Sequence, residues 1–320
     1  NNVPQKVINI HAKDEEALRM ACANEHLEVA KWLIDISIIK PELGIINIHV
    51  KDEEAFCNAC GTGHFEIAKW LYEISISNPK LRIINIHVKK ELPFRSICNN
   101  GYIWFAKWLY SLEQKTIHRS NRNCINIHAK DEEVFRMACR NNNIEIAKWL
   151  IDISKERGRI NIHVKNEEVF RIACRNGYFE LAKWLLDISM NLKINSKSLK
   201  IINIHIDNEY IFKFICCNGY FELAKWLLEM SLTNPKLGVI NIHINKEEIF
   251  RNTLEYGKLE MAKWLYEVSM IKPELGVINI YIENIFNYKP DYSKWLLTLY
   301  TDNELKNTLH PLAEKEFDNR

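Results

Sequence analysis

Ile8-Asn9-Ile10-His11 opens, and Ala30-Lys31-Trp32-Leu33 closes, a block that returns with small edits along the whole chain. His11, His49, His87, His128, His163, His205 and His243 mark successive copies, with Tyr281 in the eighth place. The Trp of each Lys-Trp-Leu follows its His at one unchanging interval in all of these His-marked copies, at Trp32, Trp70, Trp108, Trp149, Trp184, Trp226 and Trp264. In the last copy the interval from Tyr281 to Trp295 is shorter. From each Trp to the next mark the distance varies, being shortest from Trp149 to His163 and longest from Trp184 to His205. A block of fixed length joined by segments of changing length is the signature of one packed supersecondary unit connected by surface loops, where insertions meet water.

Composition bounds the class. The chain has 320 residues, 47% hydrophobic and 26% charged, enough apolar content for a continuous core. Length alone predicts two domains, but the repeats overrule that count, and residues 1–320 read as a single array of about eight units. A net charge of +2 argues against a generic polyanion binder while leaving room for local patches. No apolar run approaches the roughly 18 residues of a membrane span, and Asn1-Asn2-Val3-Pro4 has no signal-peptide pattern. The expectation is a cytoplasmic monomer without membrane contact. The chain starts without Met and within a repeat phase, as a piece of a longer array would.

Six of the nine Cys (Cys22, Cys60, Cys98, Cys139, Cys174 and Cys216) share one column. Equivalent positions in stacked helices sit about 10 Å apart, whereas a disulfide needs Cα atoms within about 7 Å. They read as small core residues in a reducing compartment. Cys57-x-x-Cys60 lacks a second pair at zinc-site spacing.

Within the unit a first helix is predicted from near Asp14. Asp14, Asp52, Asp131, Asn166 and Asn208 stand where N-caps belong, and pairs such as Glu15-Glu16 and Glu53-Glu54 favour the positive end of the helix dipole. Leu18, Ala21 and Cys22 recur as Phe56/Ala59/Cys60 and Phe135/Ala138/Cys139, one apolar face at helical spacing. The helix ends where Gly63, Gly101, Gly177, Gly219 and Gly257 align, with Asn142 as substitute and Glu25 as the misfit. A second helix from about Leu27 to Ile36 confines Glu28, Lys31 and Asp35 to one narrow stripe, so the Trp column reads as core. The Lys column beside it, Lys31 through Lys294, is balanced by Glu three residues earlier and reads as a solvated outer face.

Met20-Ala21-Cys22-Ala23-Asn24-Glu25-His26-Leu27-Glu28-Val29-Ala30-Lys31-Trp32-Leu33 resembles the two-helix pattern of an ankyrin repeat, and His26 and His64 keep the His after the interhelical turn. The resemblance implies an all-α solenoid of helix-turn-helix repeats with short finger hairpins, and it covers nearly the whole chain. The family's Thr-Pro-Leu-His is replaced by Glu16-Ala17-Leu18-Arg19, and the finger Gly is missing, which implies a shortened hairpin. The Ile-Asn-Ile-His and Ala-Lys-Trp-Leu variant, with its Ile/Asn/Lys-rich composition, is similar to the multigene ankyrin proteins of giant amoeba-infecting DNA viruses. That likeness implies a viral protein acting in host cytoplasm.

The His column is too widely spaced for one shared metal ion and reads as a structural element bonding the finger backbone. No phosphate loop, nucleophile elbow or pair of acids confined to one unit points to catalysis or a cofactor. Residues 281–320 read as a degenerate C-terminal cap, with Pro290 where a first helix should finish and a polar end that includes Lys306, Glu314 and Arg320.

Function is sought where the repeats disagree. Ankyrin-type proteins bind partners on the concave surface of fingers and first helices. The position after each Cys reads Ala23, Gly61, Asn99, Arg140, Arg175, Cys217, Glu255, while its neighbours stay nearly constant. Two residues after each His stand Lys13, Lys51, Lys89, Lys130 and Lys165, then Asp207 and Asn245. With Arg136 and Arg171 these make a basic middle, and Lys89, Lys130, Arg140, Lys165 and Arg175 are the candidate partner-binding residues for an acidic protein segment. Two alternatives are a helical-repeat nucleic-acid binder, opposed by the neighbouring Glu pairs and the low net charge, and a substrate adaptor of a host ubiquitin ligase, for which no F-box-like segment is visible.

Overall fold

The computed structural model describes residues 9–116, 124–191, 200–280 and 288–299, and the described residues form helices and connecting loops without strands. The helices pair off by repeat: α1 (Ala12–Ala23) with α2 (Leu27–Ile39), α3 (Val50–Thr62) with α4 (Phe65–Ser77), α5 (Val88–Asn99) with α6 (Ile103–Thr116), and α7 (Ala129–Arg140) with α8 (Ile144–Arg157). There follow α9 (Val164–Arg175) with α10 (Phe179–Asn191), α11 (Ile206–Asn218) with α12 (Phe221–Thr233), α13 (Ile244–Glu255) with α14 (Leu259–Ile271), and α15 (Pro290–Thr298). The chain divides into two compact units, Asn1–Val169 and Phe170–Arg320, the division falling inside α9. In the first unit α1, α3, α5 and α7 pack in succession, and in the second α11 packs on α13. Most of the predicted cap lies outside the described residues, which retain α15 from it.

The core follows the columns. Phe56, Phe94, Phe135, Phe170 and Phe212 are fully buried, with Leu18 in their place in the first repeat and Phe250 nearly so in the seventh. The six column cysteines are buried beside them as free thiols, and burial raises the Cys22 thiol to about 12 and pushes Cys98, Cys139 and Cys174 higher still. A thiol that resists ionisation is an inert packing group.

The Trp column departs from its predicted core role. Trp70, Trp108, Trp149, Trp184, Trp226, Trp264 and Trp295 are half-buried, and Trp32 is exposed. Ala30, Leu33 and Ile34 take the inward arc of α2, leaving Trp at its shoulder. There several indoles reach an aromatic ring of the preceding repeat, among them Trp108 on Phe65 at 5.2 Å, Trp226 on Phe179 at 5.8 Å and Trp264 on Phe221 at 5.6 Å, these three edge-to-face. The column is an inter-repeat clasp at the margin of the core.

The interhelical turns follow the pattern in the sequence. Gly63, Gly101, Gly177, Gly219 and Gly257 adopt positive φ, as do Asn142 and Glu25. Gly63 is doubly constrained, because φ is +83° and a Cβ there would stand 2.5 Å from the Tyr102 ring of the next repeat. Gly63→Ala is therefore expected to destabilise the chain by about 1–3 kcal/mol, from the left-handed conformation together with the displaced ring. A thermal melt followed by circular dichroism checks this, and an unchanged midpoint would contradict the packing at Tyr102.

Candidate functional site

Each finger is an extended Ile-Asn-Ile-His segment whose N–H groups are met by side chains rather than by a neighbouring strand. In the third repeat the Ile84 N–H donates to buried Ser75 Oγ (3.2 Å), the Asn85 N–H to Glu53 Oε1 (3.1 Å), and the His87 N–H to Asn85 Oδ1 (3.0 Å). Side chains thus satisfy what a hairpin ladder would otherwise satisfy. Ile84 and Ile86 turn into the core while Asn85 faces out, and Ile46/Ile48, Ile202/Ile204 and Ile240/Ile242 repeat the alternation.

The acceptor at the centre is the Glu four residues after each His. Glu15, Glu53, Glu91, Glu132, Glu167, Glu209 and Glu247 are all buried. Each lies 2.8–3.2 Å from Nδ1 of its own His. Six also accept the Asn N–H of the following finger, from Asn47, Asn85, Asn126, Asn161, Asn241 and Asn279. These contacts correct the N-cap reading: Asp14, Asp52, Asp131, Asn166 and Asn208 make no cap, and the first Glu of each pair is drawn inward instead of facing the helix dipole in solvent.

The geometry that brings His and Glu together is a left-handed turn. Lys13, Asp14 and Glu15 have φ of 53°, 56° and 58°, and the same three positions are left-handed in every described first helix from α1 to α13. Such residues cost about 1–2 kcal/mol each unless Gly or Asn/Asp eases them. In the first, fourth and seventh repeats the turn's carbonyls are held by an Arg four residues after the buried Glu. Arg19 Nε donates to the Asp14 carbonyl (2.8 Å) and Nη2 to that of Lys13 (2.9 Å), while Nη1 reaches Glu54 of the next repeat (2.9 Å). Arg136 does the same with Asp131, Lys130 and Glu168. In the second repeat Cys57 replaces the Arg, and its Sγ approaches the Asp52 carbonyl at 3.7 Å.

Linker length decides the other face of the imidazole. Four repeats share one common Trp-to-mark interval, from Trp32 to His49, Trp70 to His87, Trp226 to His243 and Trp264 to Tyr281. In these, Nε2 of His11, His49, His205 and His243 lies 2.6–2.9 Å from the carbonyl of Leu43, Leu81, Leu237 or Leu275. The shortest interval, from Trp149 to His163, brings no such Leu, and His128 Nε2 is buried without a hydrogen-bond partner. At the four complete sites both ring nitrogens face an oxygen, Glu on one side and a backbone carbonyl on the other. The His11 pKa is raised, first by the bond to Glu15 and then by the Leu43 carbonyl, against the opposing effect of burial. At His243 burial is the largest single influence and lowers the value, but Glu247, Leu275 and Gly276 together outweigh it.

The candidate partner-binding residues sit outside this buried row. Lys89, Lys130, Arg140, Lys165 and Arg175 are all exposed. Several already meet carboxylates: Lys89 Nζ lies 3.8 Å from Asp52, Lys130 Nζ 3.6 Å from Glu133, and Arg140 Nη2 2.9 Å from Glu168. Arg175, in the second unit, lies over the Phe214 ring at 5.6 Å. Arg136 and Arg171, predicted to add to the same surface, are partly withdrawn. The Arg136 side chain is 11% exposed on Glu168, and Arg171 lies 3.9 Å from Asp207. The second Glu of each pair was legible as a counter-charge but not as a bridge between repeats. Among the described residues no group of three or more His, Cys, Asp or Glu is placed to hold a metal ion, and no helix is long and apolar enough to cross a membrane.

A family model described as ankyrin repeats, in three copies, matches residues 94–198. Residues 94–198 carry ankyrin repeats. No curated protein matches the chain. The ankyrin-type arrangement, paired helices in sequential packing, holds on both sides of the matched segment, with the hairpin finger reduced to the side-chain-capped Ile-Asn-Ile-His extended segment and the left-handed turn.

Two consequences are measurable. Glu247 is 2% exposed and serves His243 and Asn279, so Glu247→Ala is expected to cost about 2–4 kcal/mol in a denaturant titration, because it removes the shared acceptor of two part-buried donors and empties a buried site. Raised His pKa values mean that the folded chain binds these protons more tightly than the unfolded one. Their contribution is complete below the unfolded value of about 6.5 and is lost as pH climbs through the raised folded values. Thermal stability is therefore expected to fall as pH rises above about 6.5, with a weaker fall in His243→Gln; equal slopes in the two chains would remove His243 from the linkage.

Proposed function

We propose that the chain is a non-enzymatic protein-binding scaffold of the host cytoplasm, whose fingers and first helices take an acidic segment of a partner protein. Ankyrin repeats in general mediate protein-protein interaction, which sets the class. The observation that supports this face is the division of labour between columns. The position after each Cys is spared from burial in all seven repeats, at Ala23, Gly61, Asn99, Arg140, Arg175, Cys217 and Glu255, and it varies where its neighbours do not. In the first unit Lys89, Lys130, Arg140 and Lys165 are exposed and basic, and their present ion pairs are of the kind a partner's carboxylate can replace at small cost. Nine described cysteines, all free thiols, suit a reducing compartment.

On the outer face Lys31 pairs with Glu28 and Lys263 with Glu260, each at 2.8 Å, a compensated surface with little pull on an acidic partner. Substituting Lys89, Lys130 and Lys165 by Glu and Arg140 by Gln is expected to abolish partner capture from cell extract. The melting midpoint should move little, because exposed substitutions shift stability by about 0.5 kcal/mol or less each. Arg140 is neutralised rather than reversed, to spare Glu168. Lys148→Glu with Lys183→Glu, on the outer helices, is the control, and loss of capture by that pair alone would refute the assignment of the binding face. Salt-steep binding to DNA or RNA would point instead to a nucleic-acid ligand.

A further inference from the structure

The second helix of the third repeat breaks a pattern that the six other His-marked repeats keep. At its second position, Glu28, Glu66, Glu145, Glu180, Glu222 and Glu260 are acidic, and seven residues later so are Asp35, Glu73, Asp152, Asp187, Glu229 and Glu267. In α6 these places hold Trp104 and Ser111. Both carboxylates are gone, while Lys107 remains and is exposed. Trp104 is 56% exposed, its ring set edge-on against Phe65 at 4.2 Å. Phe65 meets Phe105 (5.2 Å) and Trp108 (5.2 Å) as well, so Trp104 is the solvent-facing member of an aromatic group spanning the second and third repeats. Lys69 Nζ stands over the Phe65 ring at 6.0 Å.

We infer that this face of α4 and α6 is a second docking surface, distinct from the fingers, for an acidic peptide segment that lays an apolar side chain on Trp104 and sets a carboxylate against Lys107. A Trp packed on Phe65 and presented to solvent beside a cation from which the neighbouring acids have been removed has the composition of an interface centre. The charge pattern selects the occupant. A basic segment would meet Lys107 without the Glu and Asp that flank the equivalent lysines elsewhere, as Glu66 and Glu73 flank Lys69, and a purely apolar one would leave Lys107 desolvated.

Trp104→Glu with Ser111→Asp restores the residues found at these positions in the other repeats, so the fold is expected to survive. Panning a phage library of random peptides against the full chain is expected to enrich sequences combining Asp or Glu with aromatic or large aliphatic residues. Synthesised with a fluorophore, these should lose affinity at least about 30-fold for the double variant, the loss of an interface hot spot, and about tenfold for Lys107→Glu. They should bind the finger variant at Lys89, Lys130, Arg140 and Lys165 unchanged. An enriched pool in which no peptide loses affinity for the double variant, or in which those that do are basic or uniformly apolar or fail equally on the finger variant, would overturn the proposal. So would self-association in sedimentation equilibrium that the double variant abolishes, since the face would then belong to a second copy of the chain.

Discussion

A carboxylate buried in each finger is the constraint on which the rest of this array depends. An isolated buried carboxylate is strongly unfavourable, and donors to it make it tolerable; in Glu15 and Glu209 they converge on Oε1, leaving Oε2 buried without a hydrogen-bond partner. Here one Glu is served from two directions, by the imidazole of its own repeat and by a backbone N–H of the next, as with Glu53 between His49 and Asn85. The carboxylate is thus satisfied only when neighbouring repeats are in register. That couples adjacent units by directional bonds in addition to apolar contact, and nearest-neighbour coupling is what stabilises a repeat array as a whole.

This demand explains features that look unrelated along the chain. The left-handed turn at Lys13-Asp14-Glu15 is the local conformation that lets a residue four after His fold back onto the ring, and Arg19 secures it by binding the carbonyls it frees. The Pro41–Leu43 turn after α2 offers a carbonyl to His11 Nε2, so the linker is fixed by a bond as well as by reach. Gly44, with φ of +76°, stands against the same imidazole, where a Cβ would approach Nε2 at 3.3 Å. Once these groups are committed, few columns remain free to vary, and those few are where a partner can be read: the position after each Cys, the finger lysines, and the second helix of the third repeat.

The finger lysines are not bare charges. Arg140 shares Glu168 with Arg136, and Lys130 shares Glu133 with Arg95. An acidic partner must therefore compete with internal carboxylates that also tie one repeat to the next. Exposed pairs of this kind are individually weak, so competition favours a partner presenting several acids at the repeat spacing over a single charge. The same reasoning separates the α6 face, where the acids at the two column positions are missing and an aromatic ring stands in place of one of them.

Much of this was legible in the residues themselves. Fixed spacing between His and Trp determined the unit, helical spacing of Leu18, Ala21 and Cys22 determined the buried face, and aligned glycines determined the turns, because periodicity and left-handed tolerance are local properties. The buried Glu was equally visible, four residues after every His, but its identity as half of a pair was not. A Glu near a helix start ordinarily serves the helix dipole, and only the left-handed turn reverses its direction. The Trp column was misplaced for a related reason: an apolar helix surface says that a residue is covered, not whether it lies at the centre of the stack or at its shoulder. Tertiary structure decided both, because the donor that satisfies Glu53 and the ring that meets Trp108 belong to other repeats, and a sequence specifies spacing along one repeat more directly than contact between two.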